Sequence, residues 1–238
     1  MNTANDHEYR DAGGFIAEVI RSSRRKTADI RVEQGVVSVI VPTTLSTERI
    51  DELLAKKRQW IREKMLLHQE ARPASTRRFV SGEAIPYLGR NYRLKVIDGP
   101  FKAPKLDKGR LVVSVPGGSN QPEMVRNAVI RWYRRRAEEK LPAKVQRLAP
   151  SVGVTPDRVE VRAFRSRWGS CSPKGQVAFN WRIMMAPNRV VDYVVIHELC
   201  HLIQHDHSPA YWREVARVMP DYAQWRDWLK DVSHELEV

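Results

Sequence analysis

At 238 residues, with 42% hydrophobic and 29% charged side chains, the chain has material for one large or two small globular domains and is no disordered polyelectrolyte. No stretch approaches the roughly 18 uncharged apolar residues of a membrane-spanning helix, and two cysteines, Cys171 and Cys200, make no disulfide framework, so a soluble protein of a reducing cytoplasm is expected. The net charge of +13 is uneven: residues 190–238 hold four basic and nine acidic groups, which leaves +18 on the rest and directs any nucleic acid or other polyanion to the first 189 residues.

Residues 1–14 are polar without an apolar h-region, and are expected to be a disordered tail rather than a secretory leader. Ile30 and Val32 alternate with polar residues, Glu33-Gln34-Gly35 turns the chain, and Val36 to Val41 is β-branched except for Ser38, which predicts a hairpin over 28–41. A helix follows from about 47 to 68, with Ile50, Leu53, Leu54, Trp60, Ile61 and Met65 at helical spacing. Short strands are expected at 85–88, 92–97 and 111–115. Gly117-Gly118-Ser119-Asn120 is the best linker candidate, dividing a β-rich region (15–118) from a catalytic domain (119–238). A basic helix from about 121 to 141 buries Val125, Ala128, Val129 and Trp132, and Pro142 is expected to kink or end it. Its Arg131, Arg134, Arg135 and Arg136 are the densest candidate contacts for a polyanion. Val159–Val161 and Val177–Phe179 read as strands flanking a Trp168-Gly169 segment. Arg165, Trp168 and Asn180 are candidates for the lining of a cleft there, Trp168 and Trp181 being equally readable as core aromatics.

The densest chemistry lies in His197-Glu198-Leu199-Cys200-His201-Leu202-Ile203-Gln204-His205-Asp206-His207. A helix turns about 100° per residue, so His197 and His201 share one face and both can reach one zinc ion. Glu198 falls beside the metal, where a carboxylate can hold and deprotonate a water. The apolar run Val190 to Ile196 marks a helix buried on most sides, and buried polar groups need partners. A third ligand is required. His205 would lie about 12 Å along a continuing helix from His197, too far for one ion. His207 serves if the helix breaks after Gln204 or His205, which Ser208 as cap and Pro209 as first residue of a new helix support. Glu214 is the competing ligand. Gln204 stands where a metzincin has glycine, and Met219 is followed at once by Pro220 in place of a Met-turn. For a second oxyanion donor, Tyr211 comes first, with Tyr193, Arg165 and Asn180 behind it.

Arg167-Trp168-Gly169-Ser170-Cys171-Ser172, Asn180-Trp181-Arg182, Asp192 to His201 and His207-Ser208 resemble the YgjP-like metallopeptidase family, related to the SprT and WLM zinc proteases. Upstream, Arg24 to Thr27, Trp60-Ile61, Ser81-Gly82-Glu83 and Tyr87 to Arg90 resemble the N-terminal half of the same family. The resemblance implies an α+β, zincin-like hydrolase with one Zn2+ per chain on His197, His201 and His207, and Glu198 as the catalytic residue. It supplies no substrate. A protein or peptide is the leading expectation. A metal-dependent nucleotide or phosphoanhydride hydrolase and a nucleic-acid-associated protein with a structural zinc are the rivals. The first lacks a Gly-rich phosphate loop; the second has no use for Glu198.

Overall fold

The structure, a computed structural model, describes residues 8–70 and 77–238. Helices and three sheets are mixed along the chain, an α+β architecture as expected. It folds as two compact units. The first comprises Met1–Glu83, Lys95–Leu106 and Val112–Arg131, and the second Ala84–Leu94, Asp107–Leu111 and Trp132–Val238, so the division does not fall at the expected 118/119 boundary. Among the described residues no helix is long and apolar enough to cross a membrane.

In the first unit, β1 (Glu8–Asp11), β2 (Ile16–Ser22), β3 (Asp29–Glu33) and β4 (Val36–Pro42) form a sheet of order β1-β2-β4-β3. The hairpin β3–β4 matches its expectation, with Glu33 paired to Val36 across Gln34-Gly35. Both turn residues have positive φ, 56° and 84°, the tight turn whose twist suits a hairpin. β1 lies within the stretch expected to be a tail; its backbone pairs with β2, and Arg10 holds Asp51 through two side-chain bonds. α1 (Thr47–Glu70) buries Ile50, Leu54 and Ile61 in a core with Phe15, Ala17, Val19, Val37, Val39 and Val41. Trp60, expected on that stripe, is 42% exposed, because Ile61 takes the inward position. Gly117 and Gly118 are no linker: Gly117 N–H bonds Asp98 Oδ1 at 2.9 Å and the segment turns as a 3-10 helix.

The third sheet, β5 (Ala84–Tyr87), β6 (Arg90–Asp98), β7 (Lys102–Asp107) and β8 (Arg110–Val115), has order β5-β6-β8-β7. β7 carries Pro104 in a lysine-rich segment and was not expected; as an edge strand it tolerates the missing N–H. The long helix α2 (Pro122–Val152) runs through Pro142 and Pro150, where a kink or an end was expected at the first, so it does not end there. Leu141, Val145, Ala149 and Val152 are all buried along this stretch, and their burial outweighs the roughly 3 kcal/mol that an interior proline costs.

In the second unit, β9 (Arg158–Arg162), β10 (Gly169–Cys171) and β11 (Gln176–Asn180) form a sheet of order β10-β11-β9. β10 and β11 are an antiparallel hairpin, whereas β9 lies parallel to β11 on its other side. The chain between β9 and β10 must therefore arch over the end of β11, where Asn180 sits. After a 3-10 turn (Trp181–Met185) comes α3 (Asn188–Cys200), then α4 (Pro209–Val218) and α5 (Tyr222–Val232). Valines 190, 191, 194 and 195 have poor helix propensity, but all four are buried, and packing decides the conformation.

The N-terminal half of α3 is tied to α2 by Lys144, only 9% exposed. Its Nζ donates to Asp192 Oδ1 at 2.6 Å and to Asn188 Oδ1 at 2.8 Å, and Arg147 reaches the same Asp192 oxygen at 2.8 Å. Burial pushes the Lys144 ammonium below its ordinary pKa against the pull of Asp192. Lys144→Ala leaves Asp192 buried with one solvent-facing partner, and is expected to destabilise the protein by about 3 kcal/mol in urea denaturation. A loss under about 1 kcal/mol would show that Arg147 alone satisfies the carboxylate.

Candidate metal centre

α3 carries His197 and Glu198 in its last turn and ends at Cys200, with His201 as its cap. Leu202 and Ile203 N–H groups bond back to Leu199 and Cys200 carbonyls, a 3-10-type tightening that stops the helix earlier than the expected 204–205. The chain doubles back. Asp206 Oδ1 accepts from Ser208 N–H at 3.2 Å, Ser208 Oγ accepts from Tyr211 N–H at 3.4 Å, and Pro209 opens α4.

This reversal brings His207 to the other two imidazoles. Ligand atoms of His197, His201 and His207 all lie within 4.8 Å of one another, and the Nε2 atoms of His197 and His207 are 3.2 Å apart. A tetrahedral zinc with bonds of roughly 2.0–2.1 Å separates its ligand atoms by about 3.4 Å, so the trio fits such an ion. His201 Nδ1 is 3.1 Å from the Gln204 carbonyl, which places the proton there and leaves Nε2 as the donor. His205 and Glu214 are not in this cluster; Glu214 pairs with Arg217 at 2.9 Å. His197 is driven down to about pKa 3, by burial first and then by the two neighbouring histidines. It is thus neutral, the form a metal requires.

Tyr211 is wholly buried. Its ring stacks on His201 with centroids 4.6 Å apart, and its hydroxyl donates to the His197 carbonyl at 3.0 Å. The main chain takes the hydrogen bond that was expected to serve an oxyanion, and the ring lies against all three imidazoles, with the His197 and His207 centroids at 5.4 and 4.9 Å. On the outer side His207 stacks on Trp212 (5.7 Å), which stacks on Tyr222 (5.2 Å), with the Arg226 guanidinium 5.6 Å from the Trp212 ring. The Trp212 contribution had no sequence expectation, although its place one position after Tyr211 on an amphipathic helix is a visible signal.

Glu198 is 5% exposed, and burial raises its carboxyl to a pKa of about 8, with Arg167 pulling the other way. Its neighbour is Gly169 on β10: a Cβ there would sit 2.4 Å from Glu198 Oε1 and 2.6 Å from Cγ. The other expected cleft residues divide. Asn180 is 3% exposed, and its amide is committed, Nδ2 donating to the Phe164 and Arg167 carbonyls at 3.0 and 3.1 Å, Oδ1 accepting from Arg182 N–H. The Trp168 carbonyl accepts from Asn180 N–H at 2.8 Å, and its side chain is half-buried. Asn180 therefore clamps the arch over β11, leaving Arg165 exposed upon it. Trp181 is core, 1% exposed, as the plainer expectation had it.

The expected polyanion face is not a free cationic stripe. Arg131 is 6% exposed and donates to the Ile16 carbonyl. Arg134 lies against Trp181, and Arg136 lies against Trp132 and pairs with Glu139 at 2.7 Å, with Arg135 near the same carboxylate at 3.9 Å. These side chains pack the flank of α2, which the count of charges alone does not reveal.

A family profile described as "YgjP-like, metallopeptidase domain" matches residues 26–232. The solved metallopeptidase zymogen of Pyrococcus abyssi abylysin is similar over 39% of this chain and 95% of its own, at 22% identity and a TM-score of 0.36. No curated protein matches the chain.

In metal-free protein, Glu198 with a pKa of about 8, against 4.5 unfolded, keeps a proton that the unfolded chain releases, so stability falls as pH rises through that interval. His197, at about 3 in the fold against 6.5 unfolded, acts oppositely, losing stability only as pH falls below 6.5. Between these limits, from pH 6.5 to 8, the Glu198 effect is unopposed by His197. Chelator-treated protein should melt lower at the alkaline end of this window, and Glu198→Gln should remove most of the difference. An equal drop in both proteins would place the alkaline sensitivity elsewhere.

Proposed function

The chain belongs to the YgjP-like metallopeptidase family, and from that premise we propose that it is a zinc-dependent peptidase of zincin-like design, acting on protein or peptide substrates. The observation that carries the proposal is the convergence of three imidazoles beside a buried carboxyl that is held against a glycine of an edge strand. His197, His201 and His207 would hold the ion. When bound, zinc supplies Lewis-acid polarisation of the scissile carbonyl and of the attacking water.

The remaining chemistry belongs to the protein. Glu198 takes the proton of the attacking water and delivers it to the departing amine nitrogen. A carboxyl whose burial lifts its proton affinity is a better base for that water than an exposed one, and a bound cation would bring it back toward ionisation. Tyr211 holds the His197 main chain and the His201 ring, a positioning role. Of the expected oxyanion donors, Tyr193 and Arg165 have no side-chain hydrogen bond among the described residues; Tyr193, raised to about pKa 12 by burial, stays protonated and able to donate. Among the described residues β10 pairs only with β11, which leaves its other edge without a strand partner, and an extended substrate would add there as a further strand beside Gly169.

Three variants test this. His207→Ala should lose zinc affinity at least about tenfold in chelator competition, because three ligands become two. Glu198→Gln should keep zinc and lose turnover of an unfolded protein substrate by several orders of magnitude. In Gly169→Ala the new methyl must push the carboxylate aside by about an ångström, so turnover should fall about a hundredfold with zinc retained. Near-normal hydrolysis by Glu198→Gln would remove the general base from the mechanism.

A further inference from the structure

Six basic residues and no acidic one lie between Glu160 and Asp192: Arg162, Arg165, Arg167, Lys174, Arg182 and Arg189. Three are neutralised by carboxylates. Arg162 pairs with Glu160, Arg182 with Glu237 and Arg189 with Asp221. Arg165, Arg167 and Lys174 have no ion pair among the described residues. Lys174 stands in the β10–β11 turn, at the far end of that hairpin from the arch. Arg165 and Arg167 sit on the arch itself, both exposed, four and two residues before Gly169.

The arch is a held structure. Asn180 donates to the carbonyls of Phe164 and Arg167, and the Arg167 guanidinium lies 4.6 Å from the Phe164 ring centroid. Arg167 is also near enough to Glu198 to act on its carboxyl. The arch thus presents two exposed cations where the unpaired edge of β10 begins, Arg167 with its ring contact and its reach to Glu198, and Arg165 from a backbone position that the same clamp holds. Strand residues advance about 3.3 Å each, so a chain paired with β10 carries the side chains one or two positions from its scissile bond past this arch.

We propose that Arg165 and Arg167 form an anion-recognising rim of the metal cleft, and that the preferred substrates are extended peptides with Asp or Glu within about two residues of the scissile bond. The inference rests on the peptidase function proposed above and adds its substrate class. An unpaired cation at a cleft rim favours a complementary charge and penalises a like one, which is how protein surfaces set specificity.

The experiment uses zinc-loaded full-length protein and three fluorogenic peptides that differ only in carrying Asp, Asn or Lys beside the cleavable bond. Wild type should cut the Asp peptide at least about tenfold more efficiently than the Lys peptide, and Arg165→Glu/Arg167→Glu should invert the order. Arg165→Gln and Arg167→Gln, checked for zinc content and melting temperature, should each narrow the ratio, through KM more than kcat. Equal efficiencies for the three peptides in wild type, or an unchanged ratio in the variants, overturn the rim. Binding is read separately by anisotropy on zinc-loaded Glu198→Gln, where the Asp peptide should bind tighter than the Lys peptide. Selective binding without cleavage by wild type would remove the peptidase function and leave the rim standing. Displacement of the Asp peptide by inorganic phosphate or a mononucleotide at far lower concentration than by unlabelled peptide would overturn the acidic peptide in favour of a phosphorylated ligand.

Discussion

A buried carboxyl group is costly, and Glu198, which has no side-chain hydrogen bond among the described residues, meets its surroundings through a glycine backbone at less than the reach of a methyl group. That contact sets the rest of the second unit. β10 must lie close to α3, so the position facing the carboxyl can hold no side chain. The hairpin partner β11 must then carry the strand, and the arch from β9 must clear the top of β11 before descending into β10. Gly169 has no left-handed backbone, so its identity follows from proximity rather than from conformation.

The three clustered imidazoles depend on a second arrangement. Their three side chains come from the end of one helix, its cap, and a loop, and only the first is rigid by itself. Tyr211 touches all three with its ring and holds the His197 carbonyl with its hydroxyl, and the aromatic column of Trp212 and Tyr222 supports His207 from outside. Supporting shells of this kind are what keep a ligand set near productive geometry. The buried side of α3 contributes no chemistry, yet the Lys144–Asp192 pair and the valine stripe determine where the helix points.

Much of the centre was legible in the sequence. The i, i+4 histidines, the adjacent glutamate and the Ser208-Pro209 restart are local signals, and local geometry dictates what they do. The hairpin at 29–42 and the helix from 47 were legible for the same reason. What escaped was set by distant partners. β1 and β7 have little alternation, and pairing alone makes them strands; α2 continues through Pro142 because its flanks are buried. The arginines at 134–136 read as a charged run until the aromatic rings and Glu139 beside them are seen. The sequence places Tyr211 one turn beyond His207, and its ring does lie against the three histidines, but nothing in the sequence tells where its hydroxyl ends.

The parallel pairing of β9 with β11 also separates local from non-local closure in this sheet. The β10–β11 hairpin closes across four residues, Ser172 to Gly175, and its pairing is wholly local. β9 can join only after the longer connection has swung over the strand end, a non-local step that carries more loop entropy and proceeds more slowly. Asn180 can lock the Phe164 and Arg167 carbonyls only once that step is complete. A chain that has made only its hairpin and its histidine helix thus still lacks the arch, the part of the cleft that would meet a substrate first.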